Sequence, residues 1–85
     1  MKCYRIYTEH KNLRWMCGMI SEYFGGFTAY KTLGYWNAKP EKSVVIEIIT
    51  DNSLAELYLE KIQKKIEGYN QQDSVLITKN EVEAI

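Results

Sequence analysis

Ser43-Val44-Val45-Ile46-Glu47-Ile48-Ile49-Thr50 alternates two apolar sets along one extended run. Val44, Ile46 and Ile48 share one face and Val45, Glu47 and Ile49 the other, because successive side chains of a strand point to opposite sides. Both faces are largely apolar, the pattern of a strand covered on both sides. The run reaches back to Glu41, and Asn37-Ala38-Lys39-Pro40 separates it from a second strand-like run, Phe27 to Trp36. This short polar connector, whose proline suits a turn and not a central strand, makes the pair a β-hairpin.

Outside the hairpin the period changes from two to three and four. Downstream, Asp51-Asn52-Ser53 opens a helix in which Ser53 and Glu56 have capping-box spacing. Ala55, Leu59, Ile62, Ile66 and Tyr69 form its buried stripe and Gly68 marks its end. Upstream, Leu13, Met16, Cys17, Ile20 and Phe24 repeat at helical spacing. Asn12 is placed to cap that helix, and Gly25-Gly26 to supply the positive φ of its exit. Cys3 to Thr8 reads as a first strand and Ser74 to Thr78 as a last one, with Lys79 to Ile85 too short to assign.

The resulting order, βαββαβ, predicts an α+β, ferredoxin-like sandwich over residues 1–85, with two helices on one face of a four-stranded antiparallel sheet. The other face stays open. If Val44, Ile46 and Ile48 turn to the helices, then Arg5, Tyr7, Val45, Glu47 and Ile49 line the open face, a mixture too apolar to remain wet. The expected remedy is self-association through the sheet into a dimer or larger closed assembly.

Composition narrows the function classes. Eighty-five residues provide one core, and 46% hydrophobic with 26% charged residues lies outside the regime of disordered chains. Eleven basic residues balance eleven acidic ones, so the bulk field that drives duplex nucleic-acid binding is missing. Cys3, Cys17 and the single His10 form no zinc-ligand pattern, and no metal or other cofactor is expected. No apolar run approaches the roughly 20 residues of a membrane-spanning helix. The start Met-Lys-Cys-Tyr-Arg lacks the apolar segment of a leader, so the expectation is a cytoplasmic protein with reduced thiols.

Tyr23-Phe24-Gly25-Gly26-Phe27-Thr28, then Gly34-Tyr35-Trp36, Glu41-Lys42-Ser43 and Gln71-Gln72-Asp73-Ser74-Val75-Leu76, follow one another in an order that resembles a family of small bacterial and phage domains of unknown function. The family pattern is a helix ending in Phe-Gly-Gly-x-Thr, a Gly-x-Trp near a hairpin turn, a Glu opening the next strand and a Gln-x-Ser-Val opening the last. The resemblance implies the same ferredoxin-like fold and supplies no activity. Its phage-associated members imply a sequestering role, in which a viral protein takes up a host signalling nucleotide.

Catalysis requires a nucleophile with a base, paired carboxylates or a metal within hydrogen-bond reach. His10 is the candidate base, and it lies in a polar connector where a solvated histidine is the default. Cys17 sits on the apolar stripe of a helix, the setting of an inert thiol. No enzyme is expected. Gly25-Gly26 follows a helix, whereas a phosphate loop precedes one, so the pair reads as a helix exit.

The aromatic content is less ordinary: seven Tyr, two Trp and two Phe. Tyr30, Tyr35 and Trp36 concentrate beside Lys31 in the hairpin, where the rings either fill a core or subunit contact or stack on a planar ligand. In the second case Lys31 neutralises a phosphate, Arg5 joins from a neighbouring strand, and Gln72 reads a hydrogen-bonding edge, although Gln71-Gln72-Asp73-Ser74 equally suits a turn. The functional expectation is a non-enzymatic homo-oligomer. It holds a small anionic or nucleotide-like ligand at a subunit junction through Arg5, Tyr30, Lys31, Tyr35, Trp36 and Gln72. The alternative is a protein-interaction module or inhibitor that docks on a host enzyme or nuclease through its open sheet face or an edge strand.

Overall fold

The computed structural model describes residues 1–85. Six elements follow in order: β1 (Lys2–Glu9), α1 (Leu13–Ile20), β2 (Thr28–Trp36), β3 (Lys39–Thr50), α2 (Ala55–Asn70) and β4 (Leu76–Glu81). The strands form one antiparallel sheet in the order β2-β3-β1-β4, the ferredoxin-like arrangement expected from the sequence. Between the sheet and the helices lies a single core. Tyr4, Ile6, Val44, Ile46 and Ile48 from β1 and β3 meet Met16 and Ile20 of α1 and Leu59, Ile62 and Ile66 of α2. Each fully buried isoleucine contributes about 1.5–3 kcal/mol relative to an exposed one.

Element boundaries depart from the sequence-based expectations where side chains find distant partners. Asn12 does not cap α1. Its backbone is left-handed at φ 56° and its side-chain amide donates instead to the Asn70 Oδ1 at 2.9 Å. The helix ends at Ile20, before Phe24, and Ser21 closes it by donating its hydroxyl to the Cys17 carbonyl at 2.7 Å. Neither Gly25 nor Gly26 has a positive φ, so the glycine pair does not form the exit.

Ser53 and Glu56 form no capping box at the start of α2. The Asn52 side chain accepts the Leu54 N–H at 2.8 Å, while Glu56 accepts from Lys79 at 2.9 Å and from the Tyr4 hydroxyl at 3.2 Å. At the other end α2 runs through Gly68 to Asn70, and Gln71, at φ 55°, makes the left-handed exit. Tyr69 is half-exposed and stacks on Trp15 with ring centroids 3.8 Å apart, and the buried position belongs to Asn70. β4 begins two residues later than expected and continues to Glu81. Val75, ahead of it, is held by the Glu67 carboxylate and the Gln63 amide.

Hydrogen bonds from Lys79 and Lys2 hold the Glu56 carboxyl of α2 and the Glu81 carboxyl of β4 below their usual range. A depressed folded pKa means that these exposed pairs contribute above the ordinary glutamate value of about 4.3 and fade as pH falls through the folded values. Such pairs are minor supports.

The hairpin turn is tighter than the sequence suggests. Asn37 and Ala38 alone form it, at φ 52° and 61°, the two positive values of a type I′ turn, and Lys39 and Pro40 belong to β3 opposite Trp36 and Tyr35. Pro40 is tolerated because β1 reaches only as far as the Glu9–Ser43 pair, leaving that part of β3 flanked by β2 alone. Alanine is a poor occupant of a left-handed position. Ala38→Gly is therefore expected to stabilise the fold by about 1 kcal/mol. A shift of the urea midpoint to higher concentration checks it, and a decrease would show that the turn is not under strain.

Candidate functional site

Register sorts the hairpin side chains. Tyr30 pairs with Val45, Thr32 with Ser43, Gly34 with Glu41 and Trp36 with Lys39, so these residues lie on the open face with Arg5, Tyr7 and Glu47. Lys31 pairs with Val44 and Tyr35 with Pro40, so both belong to the opposite, helix-covered side of the sheet. Lys31 and Tyr35 therefore do not share a face of the sheet with Tyr30 and Trp36. Arg5 is also engaged: its Nε donates to the Glu47 Oε2 at 2.9 Å from the directly opposite position on β3. That hydrogen bond is the main cause raising the guanidinium pKa, with a further contribution from the Tyr30 hydroxyl.

Around this pair the open face carries apolar groups. Tyr7, Tyr30, Ile49 and Leu76 are all substantially exposed, and Leu76 faces Tyr7 across the β1–β4 ladder. Val45 is only 7% exposed because it lies between Tyr7 and Tyr30, its partners on either side. Cys3, on the same face, is buried as well. The face is thus partly self-covered, and its accessible apolar surface sits at Ile49, Leu76 and the two tyrosines.

A groove of about 520 Å³ forms where the hairpin overhangs the end of β1. Trp36, Tyr35 and Gln72 line it; Arg5, Tyr30 and Lys31 do not. Its floor is organised by a polar network that was invisible in local sequence. The Gln72 Oε1 accepts from the Thr8 hydroxyl at 2.9 Å and from the Asn70 side-chain amide at 3.0 Å. Asn70, fully buried, also donates to the Lys11 carbonyl at 3.0 Å and accepts from Asn12. This ties the β1–α1 and α2–β4 connections together. Gly34 forms part of the wall, and a Cβ there would meet the Ser43 Oγ at 2.7 Å. Gly34, Trp36, Glu41, Gln72 and Ser74, from three of the four motifs noted in the sequence, line this groove, and the Phe24-Gly25-Gly26-Phe27-Thr28 segment does not.

Glu9, Glu41 and Asp73 supply its carboxylates, of which the residue pattern had brought forward only Glu41 and Asp73, each in another context. His10 lies outside the lining, and its backbone N–H donates to the Lys42 carbonyl at 3.0 Å. Burial raises the pKa of the partly covered Cys17 thiol, which keeps it protonated and unreactive. No helix is long and apolar enough to cross a membrane.

No protein-family model and no curated protein matches the sequence. Among solved structures, a de novo designed protein, Foldit4, is similar, with a TM-score of 0.56 and 14% identity over 96% of each chain. At that identity the likeness, together with the strand order, establishes a ferredoxin-like α+β fold and carries no activity across.

Proposed function

We propose that this chain is a non-enzymatic binding protein that works through protein contacts, with its open sheet face holding a second copy of itself. The supporting observation is the exposure of Tyr7, Tyr30, Ile49 and Leu76 on one flat face around an internally neutralised Arg5–Glu47 pair. An ion pair already satisfied within one chain can be covered by an apolar surface at lower cost than a lone charge. Four strands of ordinary spacing and length present about 500 Å² per copy, about 1,000 Å² in a dimer, near the lower bound of specific interfaces. The assembly is therefore expected to dissociate in the micromolar range. Sedimentation velocity between about 1 and 100 µM, a span bracketing that affinity, tests the proposal. A monomer throughout would sink it.

The nucleotide-like ligand draws less support. Arg5 is committed to Glu47, Lys31 lies on the other side of the sheet from Trp36, and the groove holds no lysine or arginine. A sequestering role rests on the family resemblance alone.

A further inference from the structure

β2 forms one edge of the sheet, and nothing guards it. It runs for nine residues without a proline, and none of its side chains is buried although Tyr30, Leu33, Tyr35 and Trp36 are apolar or aromatic. The opposite edge, β4, is six residues long and carries Lys79 and Glu81, the usual means by which an edge is kept from pairing. β2 has only Lys31.

The turn fixes which backbone groups β2 directs outward. A two-residue hairpin closes on a hydrogen-bonded pair, here Trp36 with Lys39, and bonded and non-bonded pairs alternate from there. Leu33 and Lys42 are thus a non-bonded pair, and the Lys42 carbonyl accordingly accepts the His10 N–H on the flank away from β2. The N–H and C=O groups of Ala29, Lys31, Leu33 and Tyr35 therefore point off the edge of the sheet, where the chain offers them no partner.

A second copy meets these groups with its own when the two strands run antiparallel about an axis through one residue. Centring on Lys31 opposes two ammonium groups, and centring on Thr32 sets the Tyr30 ring against Gly34. Centring on Leu33 opposes leucine to leucine, Lys31 to Tyr35 and Tyr30 to Trp36, so apolar, cation–aromatic and ring–ring pairs are all matched.

We propose that β2 pairs antiparallel with β2 of a second copy about a two-fold axis at Leu33, joining two sheets into one. Lys31, Leu33 and Tyr35 of the two copies exchange about six hydrogen bonds, the complement of roughly 600–1,200 Å² of interface, which suits a weak specific contact. This axis stands normal to the sheet, whereas face-to-face packing needs an axis in its plane. The edge contact is therefore distinct from the open-face contact and does not rest on it.

Amide hydrogen exchange of the wild-type chain at about 5 and 500 µM tests the proposal without a variant. The Lys31, Leu33 and Tyr35 amides are expected to slow about tenfold at the higher concentration, while Thr32 and Gly34, already bonded to β3, change far less. Exchange independent of concentration at those three amides overturns the proposal. Slow exchange at every concentration, with a co-purified polypeptide in native mass spectrometry, assigns the edge to a foreign strand and overturns it too. Sedimentation then separates the two contacts. In a chain bearing Leu76→Lys and Ile49→Lys, the edge dimer should persist, and adding Leu33→Lys or Leu33→Glu should weaken it about tenfold. An equimolar mixture of the lysine and glutamate chains should recover the affinity, because residue 33 faces itself across the axis. Leu33 is 63% exposed, so both chains should fold, and circular dichroism checks it. A dimer untouched by either substitution, or a mixture no tighter than its components, overturns the proposal. A wild-type dimer that Leu76→Lys and Ile49→Lys reduce to monomer removes the edge contact alone; a dimer unaltered by those two and split by Leu33→Lys removes the open-face contact alone.

Discussion

Asn70→Leu will lower the unfolding free energy by about 2–4 kcal/mol, although asparagine and leucine are close in size, because it removes the hydrogen bonds by which one buried side chain ties two connections together. Asn70 is completely buried at the end of α2. Its side chain donates to the Lys11 carbonyl and to the Gln72 Oε1, both at 3.0 Å, and accepts from Asn12 at 2.9 Å. Leucine removes all three at once while adding apolar contact to Met16, which already touches Asn70. The hydrogen bonds lost, about 0.5–1.5 kcal/mol each, outweigh the added contact. Urea denaturation reads the loss directly. A change below about 1 kcal/mol, the value of one ordinary hydrogen bond, would show that water replaces the asparagine without strain.

Leu76→Lys is the second large effect, and it acts on assembly. Leu76 is 61% exposed beside Tyr7, so in the monomer lysine extends into water and folding stability should change by less than about 0.5 kcal/mol. In a symmetric dimer every contact is made twice, so two ammonium groups enter the interface and the dissociation constant should rise about 100-fold. Ile49→Lys, at the far end of the face, should act in the same direction. Val45→Lys is a poorer probe: Val45 is already covered within the monomer, and a lysine there would disturb Tyr7 and Tyr30 before any partner arrives. Equilibrium sedimentation checks the series. An unaltered dimer in both Leu76→Lys and Ile49→Lys would place the self-contact elsewhere, on the edge strands or the helices.

Where periodicity is strong, the sequence is a reliable guide to this fold. The two-sided apolar pattern of Val44 to Ile49 belongs to a β3 flanked by β1 and β2, and the stripe Leu59, Ile62, Ile66 is the buried face of α2. Opposite orientations of Lys31 and Trp36 are legible too, since residues five apart on a strand face opposite sides. The ends of elements are not. Asn12 has the right identity for a cap, yet its partner is Asn70, and Glu56 is drawn from a capping role by Lys79. Such choices are made by the tertiary fold, which local propensity does not contain. The groove follows the same rule: Glu9, Glu41 and Asp73 are far apart along the chain and line one groove because a two-residue turn lets the hairpin outrun β1.

The position of β1 between β3 and β4 has a kinetic corollary. The β2–β3 hairpin, closed by Asn37-Ala38, is the local unit of the sheet and belongs to the class that forms in about 1–10 µs. Tyr4, by contrast, faces Ile48 on one side and Lys79 on the other, so the first strand of the chain gains its second neighbour only when the last has been made. Pairings of such long sequence separation are slow to find. During synthesis β1 must wait, unzipped along one flank, until residues 76–81 clear the ribosome, and through that interval its Tyr4-Arg5-Ile6-Tyr7 backbone is a bare template for a neighbouring chain.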